Sequence, residues 1–138
     1  MITDGNGNVL VQNKKSKSWG GICFPGGHVE EGESFNDSVI REIREETGLE
    51  IISPKLCGVK QFCDGDERYI VFLYTADLYF GEIRSSDEGD IFWMPRKDLK
   101  NANLAPRFLD MVRVFENPEI DEVYYVRESS GIVDTRFY

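Results

Sequence analysis

The chain reads as an α/β protein, a mixed β-sheet with helices on both faces. Three observations predict this. Short apolar runs bounded by turn residues alternate with two stretches of helical period, the pattern of layered α/β architecture. With 138 residues, 41% hydrophobic and 12% aromatic, the chain is too apolar for disorder. As one domain of this length it can bury about two-thirds of the surface its unfolded form exposes. No internal repeat, linker or low-complexity segment interrupts it, so residues 1–138 are read as a single domain.

The elements follow in order. Residues 1–3 form a stub ahead of Asp4-Gly5-Asn6-Gly7-Asn8, a strong turn signal, and Val9-Leu10-Val11 is a strand. The opening is a hairpin whose first arm is short. Lys14, Lys15 and Lys17 lead through Trp19 to Ile22-Cys23-Phe24, a short buried strand ending at Pro25. Pro25 and Gly26-Gly27 mark a turn, because proline fixes φ and glycine tolerates conformations other residues avoid. Residues 35–47 hold good helix formers without proline or glycine. Ser34, with Asp37 three residues on, is the start signal, and Gly48 is a left-handed stop. Strands are expected at 56–62 and 69–77, an antiparallel pair about Cys63-Asp64-Gly65-Asp66-Glu67, and at Ile91-Phe92-Trp93-Met94. Phe108, Met111, Val112 and Phe115 recur at i, i+3, i+4 and i+7, which predicts a second helix over 104–115, capped by Asn103 and stopped by Pro118. Residues 123–126 and 132–137 form a terminal hairpin around Ser129-Ser130-Gly131.

The first helix carries the chemistry. At about 100° per residue with Glu42 as zero, Glu46 lies at about 40° and Glu45 at about 300°, so three carboxylates share one sector. Val39, Ile40, Ile43 and Thr47 fall at about 60° to 160°, the face expected to be buried. The glutamates therefore border the core. Like charges at these spacings repel by about 0.2–0.5 kcal/mol per pair, and a hard divalent cation with oxygen ligands offsets that. Arg41 meets Glu45 at i, i+4. Residues 30–50 hold eight acids and two arginines, against seventeen acids and fourteen bases elsewhere, so most of the net charge of −9 sits here.

Several classes are set aside. A chain this acidic does not hold a nucleic-acid polymer through charge alone. Cys23, Cys57 and Cys63 are an odd number without a CxxC pair, so reduced thiols and a cytoplasmic location are expected. A zinc site from Cys57, Cys63 and His28 is the minor reading. No apolar run approaches the about 20 residues needed to span a bilayer, and the start lacks a signal-peptide pattern.

Gly27, five residues, Glu33, seven residues, then Arg41-Glu42-Ile43-Arg44-Glu45-Glu46-Thr47-Gly48-Leu49 resembles the Nudix box, with every defining position filled. The box spans residues 27–49. The resemblance implies the Nudix fold, an α/β/α sandwich, and hydrolysis of phosphoanhydride bonds with Mg²⁺, for which Mn²⁺ substitutes. It implies that Glu42 and Glu46 bind metal, completed by the Gly26 backbone carbonyl. Glu45 is then a ligand or the general base, and Arg41 holds it by a charge-assisted hydrogen bond. An acid from the Ser86-Asp87-Glu88-Gly89 loop is the other candidate base, with Glu88 preferred over Asp87 and Asp90. Glu33 braces the loop or a metal-bound water. Substrate contacts are expected from Lys17, Gly27, His28, Glu33, Trp93 and Phe108, with Lys14 and Lys15 as further candidates for meeting phosphate and Phe62, Tyr69 and Phe72 for facing a base. Family members usually carry a longer first strand, so residues upstream of this sequence are one expectation. The Phe24-Pro25-Gly26-Gly27-His28-Val29-Glu30 run and the Ser86-Asp87-Glu88-Gly89 loop before Trp93 look most like MutT-type enzymes. That implies oxidised dGTP (8-oxo-dGTP) or another nucleotide as a small-molecule substrate, cleaved to monophosphate and pyrophosphate by a monomer or homodimer. The alternatives are ADP-ribose or dinucleotide polyphosphates as substrate, or a Nudix module that binds without turnover.

Overall fold

Asp4 closes the opening turn with its own side chain. Its carboxylate accepts hydrogen bonds from the Asn6 and Asn8 backbone amides at 2.8 and 3.0 Å and from the Asn8 side chain at 2.6 Å. Thr3 is thereby brought opposite Val9, the short-armed hairpin expected from the sequence. The computed structural model describes residues 1–15, 20–128 and 130–138. Lys17 and Trp19 lie outside the described residues.

The chain divides into two compact units, one of Met1–Lys55 with Thr75–Phe108, the other of Leu56–Tyr74 with Leu109–Tyr138. In the first, β1 (Asn8–Lys14) lies between β2 (Gly21–Cys23) and β7 (Gly89–Pro95), antiparallel to both. A second ladder pairs β3 (Glu50–Ile51) with β6 (Tyr79–Phe80). Helix α1 (Phe35–Thr47) has both expected caps. The Ser34 hydroxyl accepts from the Asp37 amide at 3.0 Å, and Gly48 adopts φ 78 with its amide donating to the Arg44 carbonyl at 3.0 Å. Its inner face brings Val39, Ile40 and Ile43 onto a core of Ile2, Leu10, Leu49, Ile51, Ala76 and Ile91. Because side chains alternate along a strand, Leu10, Gln12 and Lys14 share one face of β1, opposite Trp93, Ile91 and Gly89 in register.

The second unit holds a four-stranded sheet in the order β5 (Glu67–Thr75), β4 (Lys55–Asp64), β8 (Glu122–Glu128), β9 (Gly131–Phe137). β4 runs parallel to β8 while β8 and β9 are antiparallel, so the sheet is mixed. Gly58 in β4 is a packing requirement, since a Cβ there would strike the Asp121 carbonyl and the Val114 side chain. Val114, Met111 and Phe115 of α2 (Phe108–Glu116) pack with Leu73, Val123 and Tyr125.

The second helix starts four residues later than its periodicity predicts. Residues 103–105 run along β2 instead. The Ile22 amide donates to the Asn103 carbonyl at 2.8 Å, and the Ala105 amide donates to the Ile22 carbonyl at 2.9 Å. The chain comes so close that a Cβ at Gly21 would meet Ala105 and Leu104 backbone atoms. Asn103 therefore serves β2 through its carbonyl, and Arg107 turns the chain at φ 63, a left-handed conformation uncommon outside glycine. Only then does α2 begin.

Phe108, expected to face a substrate base, is corrected by its burial. It is 1% exposed and packs on Phe24 with ring centroids 4.6 Å apart, so it offers no free face. Phe108→Ala is expected to cost about 3–5 kcal/mol of stability, the loss of a buried aromatic. Urea denaturation measures it, and a cost below about 1 kcal/mol would return Phe108 to the surface-facing role.

Candidate active site

The loop after β2 and helix α1 are joined by one side chain, Arg41. Its Nε and Nη2 donate to the two Glu33 carboxylate oxygens, both at 2.9 Å, a bidentate fork. Nη1 donates to Glu42 at 2.9 Å and to Glu45 at 3.2 Å, and Nη2 also reaches the His28 carbonyl at 2.9 Å. Hydrogen bonds from Arg41 hold the Glu33 carboxyl down at about 2, with the Glu30 amide adding to the effect at 3.1 Å. The same partners, Glu33 first, raise the Arg41 guanidinium further above its ordinary value. Ser38 is buried in α1 and its hydroxyl donates to the His28 carbonyl at 3.4 Å. His28 thus contributes its backbone to this arrangement, and its ring is exposed. Gly27 lies so near Glu42 that a Cβ would fall on the carboxylate.

A second group forms around Glu46. This carboxylate is 5% exposed and accepts from the Gly26 amide at 2.7 Å. Burial is the main force pushing it up to about 7, helped by hydrogen bonding with the Glu88 carboxylate and opposed by the Gly26 amide and the Lys14 charge. Glu88 is 61% exposed at the tip of a turn. Ser86 and Gly89 exchange backbone hydrogen bonds at 3.3 Å, and the Lys15 amide donates to the Glu88 carbonyl at 3.2 Å. A Cβ at Gly89 would collide with the Asn13 carbonyl, so glycine lets this turn lie flat against β1. Lys14, facing the same way as Leu10, places its ammonium 3.8 Å from Glu88.

The sequence-expected residues therefore fall into sets. Arg41 gathers Glu33, Glu42 and Glu45, with Gly27 against Glu42. Gly26, Glu46 and Glu88 form the other group. Of the rivals to Glu88, Asp90 is paired with Lys15 at 2.9 Å and points to the opposite face of β7 from Ile91. Trp93 is half-buried, its ring 5.5 Å from that of Tyr79 at the margin of the α1 core. Phe62 and Tyr69 belong to the second unit and stack on each other at 5.0 Å. Cys57 and Cys63 are free thiols, and so is buried Cys23. Ser38 was not singled out by sequence reasoning, and Lys14 was read only as one of three lysines that could meet phosphate. The two-residue period of β1 places Lys14 on the face shared with core residue Leu10, which is the signal that could have found it.

The donor chemistry fits a hard divalent cation. Glu42, Glu45, Glu46 and Glu88 offer carboxylate oxygens, the ligand type Mg²⁺ prefers. A buried carboxylate pushed toward neutrality beside a second carboxylate marks a shortage of positive charge. Among the described residues no three His, Cys, Asp or Glu side chains gather at ligand spacing. Arg41 and the Gly26 amide hold Glu42 and Glu46 in separate hydrogen bonds.

Comparison with known proteins follows the same line. The NUDIX domain family model matches residues 1–115. The uncharacterised Nudix hydrolase YvcI of Bacillus subtilis is 43% identical over 104 residues, which is 71% of this chain and 65% of that protein. The ADP-ribose pyrophosphatase of Methanocaldococcus jannaschii is 36% identical over 90 residues, covering 64% of this chain and 53% of its own length. The chain spans less than two thirds of the length of both relatives. In fold it resembles the mutator MutT protein of Bacillus halodurans, with a TM-score of 0.79 at 24% identity over 99% of this chain and 93% of that one.

The Glu46 environment generates a pH prediction for metal-free protein. A carboxyl whose proton is held more tightly folded than unfolded favours folding below its unfolded value of 4.5 and loses that contribution as pH rises through about 7. Glu33 is depressed to about 2, so its contribution is full above 4.5 and falls away only in acid, outside this window. With metal removed by EDTA, wild type should lose on the order of 2 kcal/mol relative to Glu46→Gln between pH 5 and 8. Thermal melts across that range test it. Parallel curves for the two proteins would refute the burial-driven shift.

Proposed function

The chain belongs to the Nudix family, and from that premise we propose that it is a Mg²⁺-dependent hydrolase of a phosphoanhydride bond in a small nucleotide. The observation that carries the proposal is the convergence of the box on one loop–helix unit, with Arg41 tying Glu33, Glu42 and Glu45 and Gly26 tying Glu46. The named relatives support hydrolysis as the family's chemistry.

Glu42, Glu45 and Glu46 are the residues that would hold the cation, with the Gly26 carbonyl as a backbone donor. When bound, a divalent metal supplies electrophilic help at phosphorus and lowers the pKa of water. The protein supplies the rest. Arg41 fixes the headings of Glu42 and Glu45 and holds the His28 carbonyl, so the loop and the helix present their donors as one piece. Glu88 and Glu45 are the exposed carboxylates, 61% and 56% accessible, and each can accept the proton of an attacking water. Lowering Glu46 from about 7 by binding a cation would return it to full charge.

For the substrate, we favour an oxidised purine nucleoside triphosphate such as 8-oxo-dGTP, cleaved to monophosphate and pyrophosphate. The support is the resemblance of the 24–30 loop and the 86–89 turn to MutT-type sequences. A second reading, ADP-ribose, is favoured by the archaeal relative named for that activity.

Pyrophosphate and phosphate release over a panel of 8-oxo-dGTP, dGTP, other nucleoside triphosphates, ADP-ribose and diadenosine polyphosphates separates these readings. Glu42→Gln and Glu46→Gln should each lower turnover by at least about 100-fold with the fold retained by circular dichroism. Full turnover in either variant would refute its assignment to the metal. Glu45→Gln and Glu88→Gln are read the same way with Mn²⁺ binding alongside. The base is the residue whose variant loses turnover while keeping Mn²⁺. A Tm that rises with millimolar Mg²⁺ is expected as well, since a ligand bound only by the native state stabilises it.

A further inference from the structure

Two groups of carboxylates face the site, and their positive partners differ in kind. Arg41 serves Glu33, Glu42 and Glu45 through five directed hydrogen bonds, counting the one to the His28 carbonyl. Among the described residues the Glu46–Glu88 group has instead one ammonium, Lys14, at a longer 3.8 Å from Glu88. Neighbouring Lys15 is engaged elsewhere, with Asp90 at 2.9 Å. Lys14 is held where it is by β1, whose register sets it opposite Gly89, the residue after Glu88. Its charge is also felt by Glu46 and by the buried thiol of Cys23, so it lies within reach of the whole group.

We propose that Lys14 is the resident counter-cation of the Glu46–Glu88 pair, a positioning residue that keeps Glu88 beside Glu46 before metal arrives and competes with the divalent cation for that carboxylate. This rests on the metal-dependent reading of the site above. The physical basis is ordinary electrostatics. An ammonium 3.8 Å from a carboxylate stabilises it without occupying a fixed coordination geometry, and it repels a dication approaching the same oxygens. A lysine suits the role where arginine would not, because its ammonium is a point charge on a flexible stem and can withdraw without breaking a rigid fork of hydrogen bonds. The two cation types thus divide the site. Arginine fixes one half, and lysine offsets part of the charge of the other half until it is displaced.

The test measures Mn²⁺ binding to nucleotide-free protein by electron paramagnetic resonance of the free ion, with Lys14→Met and Lys14→Arg beside wild type. Lys14→Met should bind Mn²⁺ about 3- to 10-fold more tightly at low salt, with the gain shrinking at high salt as the charges are screened. Lys14→Arg, which keeps the charge on a less readily displaced fork, should bind Mn²⁺ no more tightly than wild type. In a Glu88→Gln background the effect of Lys14→Met should fall to less than half, since the two side chains act on one another. Unchanged or weaker Mn²⁺ binding in Lys14→Met would overturn the proposal, as would a change confined to nucleotide KM, the signature of a phosphate contact alone. A wild-type protein that binds no Mn²⁺ would instead overturn the metal-dependent reading itself, so the two failures are separable. Melting of the metal-free variants checks that each is folded.

Discussion

The site depends on one guanidinium. Arg41 leaves α1 in the turn after Asp37 and returns to the loop that precedes the helix, where Glu33 takes it as a bidentate partner and His28 offers a carbonyl. Without that fork, residues 26–33 would be a glycine-containing loop free to sample many conformations, at an entropic cost for each residue that must be ordered. The same side chain also touches Glu42 and Glu45, one residue and one turn further along. Loop and helix carboxylates are therefore coupled through a shared partner. Replacing this arginine with lysine keeps the charge and loses the geometry, because an ammonium cannot make a planar fork while reaching two more acceptors.

Against this well-satisfied half stands the other, less satisfied one. Glu46 is 5% exposed at the rim of the α1 core, where burial disfavours its charged form. A carboxylate in that position is destabilising for a fold on its own terms. Gln would make the same hydrogen bond from the Gly26 amide without the charge. The box keeps glutamate, and the neighbouring Glu88 deepens the cost. The combination makes sense when the group waits for a cation, and it locates the strain in the structure at the point where the chemistry is expected.

Much of this was legible in the sequence, and the boundary between what was and was not is physical. Helix α1 came out with its observed limits because its signals are local: Ser34 and Gly48 cap through bonds to residues three or four away. Helical period alone places Glu42, Glu45 and Glu46 in one sector of the helix, but not their division, Glu42 and Glu45 held by Arg41 and Glu46 by the Gly26 amide. Helix α2 did not. Its apolar period extends to Leu104, yet residues 103–105 are recruited by β2, a partner eighty residues earlier that no local pattern reveals. Phe108 sits on the same periodic stripe as its helix-mates. Whether its ring faced core or ligand depended on Phe24, again a long-range contact. The two-residue strands β3 and β6 are too short to carry a pattern at all. His28 shows a further limit, since its contribution is a backbone carbonyl, and side-chain identity says nothing about that.

The strand beside the helix contributes more to the site than its apolar sequence suggests. β1 alternates, and its α1-facing side runs from fully buried Leu10 through buried Gln12 to Lys14, which is partly exposed. From Leu10 to Lys14, two pairs of residues each advancing about 6.6 Å, the environment changes from core to solvent. The amide nitrogen of Gln12 has no hydrogen-bond partner among the described residues, which is costly for a buried donor. Its place in the gradient is between the apolar packing that fixes α1 and the charge that faces Glu88. On the other side of this strand pair, Gly89 has to be glycine for the Glu88 turn to lie against Asn13. One strand thus sets the height of the helix, through Leu10, and the position of the distal acid, through Lys14 and Gly89. The helix that carries the box and the turn that carries Glu88 are therefore registered by the same strand.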